Sequence, residues 1–168
     1  MEPAPALVRV IGLGSLFRGD DALGTAVVAE LRKGWDFPEG VRVTDGGTPG
    51  LDLLTLLSGS RHAVLVDAVA SGSEPGSVRT YSREEWMRQT PGRRLSAHSL
   101  DLRETLLLLE AAGQAPETVT LVGVEPERVG TGIGLTATVR DAVPAAAEAV
   151  VEALTKVGSP PARRAGVR

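Results

Sequence analysis

Short apolar runs rich in β-branched residues alternate along this chain with segments of helical periodicity, an order that implies a layered α/β sheet with helices on both faces. The run at 7–13 ends in glycine and reads as a buried strand. Behind Asp20 and Asp21, the residues Leu23, Val27, Val28 and Leu31 recur at helical spacing, and Lys33-Gly34 closes that helix. A second strand at 41–44 runs into the glycine-dense turn Asp45-Gly46-Gly47-Thr48-Pro49-Gly50, where Thr48 and Pro49 read as N-cap and first residue of a helix through Leu57. Further strands are expected at 63–68, 78–81 and 119–124. Helices are expected at 98–112, with a wide apolar side, and at 137–154, interrupted by Pro144. The expectation is therefore a single-domain three-layer sandwich over residues 1–156, with a mostly parallel twisted sheet of about five strands, and a flexible tail at 157–168.

Composition narrows the function. With 168 residues, 42% of them hydrophobic and 23% charged, one folded core is expected. Eighteen basic against 21 acidic residues provide no positive field for a phosphate backbone, and the 3% of aromatics are scattered, so no nucleic-acid partner is expected. The chain has no cysteine, which excludes a disulfide framework, a thiolate nucleophile and any thiolate metal site supplied by the chain itself. The apolar start is too short for a signal segment or a membrane span, so a cytoplasmic protein with no membrane partner is expected.

Gly12-Leu13-Gly14 after the first strand invites a dinucleotide-binding reading, with Asp45 as the ribose-binding acid. The third glycine of that motif falls at Phe17, where a side chain would block the close helix-strand approach. A non-catalytic Rossmann-like nucleotide-binding or regulatory domain is therefore kept only as the alternative. More telling is where acids and a histidine fall. Asp20 and Asp21 follow the first strand, Asp45 ends the second, Asp67 ends the third, and His98 begins a helix. In a parallel sheet these ends share one edge, and two carboxylates with an imidazole suit a divalent cation such as nickel or zinc. Each residue also has a plainer reading: one of Asp20 and Asp21 as a helix cap, Asp67 as a turn former, His98 as an ordinary first-turn histidine. His62, before a buried strand, is read as structural.

Five segments in order carry a resemblance: Gly12-Leu13-Gly14-Ser15 followed by Gly19-Asp20-Asp21-Ala22-Leu23-Gly24, then Asp45-Gly46-Gly47-Thr48-Pro49-Gly50, Val66-Asp67-Ala68, Ser96-Ala97-His98 and Val122-Gly123-Val124-Glu125-Pro126. Together the chain resembles the nickel-iron hydrogenase maturation proteases, the endopeptidases that trim the C-terminus of the hydrogenase large subunit after nickel insertion. Ser15 stands where the family usually has Asn, and Asp21 where relatives often have Glu. The resemblance implies that Asp21, Asp67 and His98 are the catalytic and metal-contacting set, and that Asp45, Gly46, Gly47 and Thr48 line the substrate cleft in support. It implies nickel supplied by the substrate, with zinc or cadmium able to occupy the same site in vitro. The implied partner is a hydrogenase large-subunit precursor, acted on by a monomer. Substrate cysteines would then hold the nickel, which gives the absence of cysteine in this chain a meaning.

Overall fold

The computed structural model of the chain describes residues 7–48, 52–88 and 99–166. A five-stranded sheet forms its centre. In chain order the strands are β1 (Val8–Leu13), β2 (Trp35–Asp36), β3 (Val41–Gly47), β4 (His62–Ala68), β5 (Val78–Ser82), β6 (Thr118–Val124) and β7 (Ala162–Arg163), and the helices are α1 (Leu23–Gly34), α2 (Asp52–Leu57), α3 (Arg83–Met87), α4 (Ser99–Ala111) and α5 (Ala137–Lys156). The main sheet has the order β3-β1-β4-β6-β5, parallel throughout except for β5, which runs antiparallel to β6 at the edge.

Strand alternation divides the core in two. Val8, Val10, Val64, Val66, Val122 and Val124 face α1 and α5, whose Leu23, Val27, Val150 and Leu154 complete one fully buried cluster. Ile11, Leu13, Ala63, Leu65, Val119 and Leu121 face the other way, against Leu53, Leu57, Leu102 and Leu106 of α2 and α4 and Trp86 of α3. Small β-branched side chains on a doubly covered sheet explain why the runs read as continuous rather than alternating.

The helix-strand approach that the glycine motif left open at Phe17 is provided by another residue. A Cβ on Gly12 would lie 2.3 Å from the Gly24 carbonyl oxygen, and one on Gly24 would lie 2.2 Å from that of Leu13. Gly24, in the first turn of α1, is the glycine that lets the helix sit on the strand.

Two expectations are corrected, and one element is new. Pro144 does not interrupt the last helix: α5 runs unbroken through it, because the proline is on the exposed side, where water can serve the Arg140 carbonyl that loses its N–H partner. The segment expected to be a flexible tail is docked: β7 pairs antiparallel with β2, the Arg163 guanidinium stacks 4.7 Å over Trp35, and Arg164 Nε donates to Asp36 at 2.7 Å. Residues 83–87 form a helix unforeseen in the sequence, opened by a capping box between Ser82 and Glu85.

Candidate active site

The chain leaves β1 for β3 on one side and returns past β1 to β4 on the other, so the carboxyl ends of β1 and β4 are the topological switch point where α/β folds carry ligands. After β1 the backbone turns at Gly14, with φ +128°, where any Cβ would strike the Asp21 carbonyl oxygen. A single 3-10 turn, Asp20–Ala22, then leads into α1. This turn lies against β4, so Asp21 and Asp67 come to the same edge. Both are almost fully buried, at 2% and 1% exposure. Asp21 Oδ2 accepts from the Ser15 N–H at 3.0 Å, and Asp67 Oδ1 from the Ala68 N–H at 2.9 Å. Neither Asp20 nor Asp21 caps α1 through its side chain. His98 lies outside the described residues, as does the part of the 48–57 segment in which Pro49 was to start a helix. Ser99, the residue after His98, begins α4, which packs on the sheet face to which Leu65 and Asp67 belong by alternation.

Asp45 reaches the same edge but belongs to the other face. It pairs in register with Gly12 and follows Val43, which packs with α1. Its exposed carboxylate accepts from Thr25 Oγ1 of α1 at 3.0 Å and from the Gly47 N–H at 3.1 Å. A bulge at Gly46 shifts the register so that Leu13 pairs with Gly47, and the Gly14 N–H donates to the Gly47 carbonyl at 2.7 Å. The two glycine loops are thereby joined. A cleft of about 320 Å3 opens beside them, lined by Thr44, Asp45, Gly46, Asp52, Thr55 and Leu56. Thr48 is exposed next to it. A larger cavity, about 520 Å3, lies at the opposite end of the sheet around Glu117, Thr118 and α5, and none of the acids of the switch-point edge lines it. His62, at the far end of β4, bonds Thr118 Oγ1 through Nδ1 and has the structural place expected of it.

Two carboxylates whose roles the sequence did not disclose organise the surrounding loops. Asp20 has no exposure and clasps residues more than a hundred positions away. Its Oδ2 accepts from the backbone N–H groups of Glu127 and Arg128 at 2.9 and 2.8 Å, and its Oδ1 from the Thr136 N–H at 2.7 Å, with the Thr136 hydroxyl adding a fourth donor. Glu125, 8% exposed at the end of β6, binds the loop after β4. One oxygen accepts from Ser71 N–H, Ser71 Oγ and Ser73 N–H, and the other from Gly72 N–H. Burial works against its charge, but these donors outweigh it and hold the Glu125 carboxyl below its ordinary value of 4.5. The sequence did carry one signal for Glu125: it follows the apolar run of β6 as Asp67 follows that of β4.

The place where a dinucleotide fold would seat a pyrophosphate is here occupied by the buried carboxylates of Asp20 and Asp21, which repel an anion. The edge thus has the form of an α/β enzyme site built on acids, not of a nucleotide cradle. Comparison with known proteins agrees. A sequence model described as hydrogenase maturation protease matches residues 25–153. The hydrogenase 2 maturation protease of Escherichia coli K12 is 33% identical over 151 residues, covering 90% of this chain and 92% of that protein. The hydrogenase expression/formation protein HupD of Rhizobium leguminosarum bv. viciae is 32% identical, over 93% and 77% of the two chains. Among solved structures, the hydrogenase maturating endopeptidase HybD from E. coli superposes with a TM-score of 0.84 at 32% identity, covering 95% of this chain and 99% of its own. The chain belongs to the hydrogenase maturation protease family. It is a maturation endopeptidase, hence a hydrolase.

Proposed function

We propose that this protein removes a C-terminal peptide from the nickel-loaded precursor of a nickel-iron hydrogenase large subunit, with the bound nickel as its recognition signal. The observation that carries this reading is the convergence of two buried carboxylates, Asp21 and Asp67, on the switch-point edge. Carboxylates withdrawn from water favour an arriving cation. Precursor thiolates would hold the nickel, and Asp21, Asp67 and His98 would contribute oxygen and nitrogen ligands. Nickel delivered in this way would supply Lewis-acidic chemistry to the edge.

The chain's own carboxylates do the rest. Peptide hydrolysis adds water to the carbonyl carbon, breaks the C–N bond and places a proton on the departing amine. A buried aspartate at the edge orients that water, takes its proton and returns it to the amine. The Ser15 N–H fixes Asp21 through one oxygen, so the carboxylate is aimed before substrate arrives. The Asp45-Gly46-Gly47-Thr48 loop, tied to β1 through Gly14, forms the adjoining wall and supports the bound precursor.

The test compares nickel-loaded and nickel-free precursor as substrates. Cleavage of the loaded form alone, lost in Asp21→Ala and in Asp67→Ala, is the expected result. Equal cleavage of both forms would overturn nickel as the signal.

A further inference from the structure

Beside the acidic edge two loops are held together so that they present apolar side chains to solvent. The loop after β1 and the loop after β6 pair through Arg18 with Gly132 and Gly19 with Val129. Backbone bonds join them further, from Gly132 N–H to the Phe17 carbonyl at 3.2 Å and from Gly19 N–H to the Gly132 carbonyl at 3.0 Å. The fully buried Asp20 clasps the base of the pair through Glu127, Arg128 and Thr136. On this braced platform Leu16 is 53% exposed, Phe17 71%, Val129 46% and Ile133 84%. Large apolar side chains so exposed on one small surface are uncommon unless something covers them. Holding them rigid reduces the ordering cost of binding.

The position says what covers them. Ser15, which orients Asp21, is the residue before Leu16, so the platform is continuous with the edge where the precursor must lie. Its charge is positive, Arg18 and Arg128 against the single acid Glu127, all exposed, and neither arginine forms an ion pair among the described residues. We infer that Leu16, Phe17, Val129 and Ile133, flanked by Arg18 and Arg128, form the docking surface for a segment of the hydrogenase precursor that combines apolar side chains with carboxylate groups. The inference rests on the protease reading above and adds to it where the substrate is held outside the reacting centre. Phe17 and Ile133 are its anchors, while Asp21 and Asp67 remain with the chemistry.

The experiment measures cleavage of the nickel-loaded large-subunit precursor from the same organism by the unaltered protein and by Phe17→Ser, Ile133→Ser and Leu108→Ser. Leu108, also exposed but on α4, serves as the control. The platform variants should raise KM about tenfold each, the scale of an interface anchor, with kcat and melting temperature unchanged, and Leu108→Ser should do neither. Arg128→Glu should raise KM as well, and more steeply at low salt. Normal KM in both platform variants, with the unaltered protein active, would overturn the docking surface and leave the protease reading standing. An unaltered protein that leaves the precursor intact would overturn both.

Discussion

Asp20→Asn isolates the clasp from the chemistry. The substitution keeps size and shape but replaces one accepting oxygen with a donating amide in a site where every partner is a donor. If the amide faces Glu127 and Arg128, two backbone N–H groups at 2.9 and 2.8 Å lose their acceptor. If it faces Thr136, one N–H at 2.7 Å is lost while the Thr136 hydroxyl turns to accept. The second arrangement costs less, and it sets the magnitude. Leaving one buried donor unpaired costs about 1–3 kcal/mol, and the two remaining bonds fall from charged to neutral strength, so the total is roughly 2–4 kcal/mol. For a chain of this length that lowers Tm by roughly 5–15 °C. Urea unfolding gives the loss directly, and amide exchange at Glu127, Arg128 and Thr136 locates it. A loss under about 0.5 kcal/mol with unchanged protection of those three amides would refute the reasoning.

Other consequences are testable in the same way. Gly24→Ala should cost several kcal/mol or abolish folding, because the new methyl meets the Leu13 backbone at 2.2 and 2.4 Å and neither strand nor helix can retreat; a Tm close to that of the unaltered protein would contradict this. Glu125 has its carboxyl held below 4.5 in the fold, so its contribution is present above the unfolded value and is lost as pH falls through the folded one. Stability of the unaltered protein should therefore decline at acid pH more than that of Glu125→Gln, and parallel pH profiles would count against the clasp. Asp21→Asn should remove activity with a small effect on Tm, since its carboxylate oxygen accepts one described backbone bond, from Ser15; a Tm loss as large as that of Asp20→Asn would assign it to the scaffold. Removing residues 160–168 should lower Tm by a few degrees through loss of the β2–β7 pairing and the Arg164–Asp36 pair, and an unchanged Tm would mean that the docked tail adds nothing.

What the sequence disclosed and what it hid have physical causes. The parallel strands and α1 were legible because β-branched runs and a four-residue apolar period are local signals. The edge itself was legible too, since Asp21, Asp45 and Asp67 each sit just past an apolar run in a fold whose strand ends share one side. The sheet face of Asp45 was not read, although period-two alternation from Val43 sets it and Thr25 confirms it. Asp20 resembled a helix cap because its true partners lie 107–116 positions on, a distance over which sequence carries no spacing rule. The two-residue strands β2 and β7 are too short to show a period, and Pro144 looked like a break only because its solvent exposure is a property of the packed molecule.

The most direct test of the account is the intact mass of the nickel-loaded large-subunit precursor after incubation with this protein or with its Asp67→Ala variant. The unaltered protein should release a single C-terminal peptide, and the variant, shown to be folded by circular dichroism, should release none. Release of the same peptide by Asp67→Ala at the unaltered rate would contradict the account.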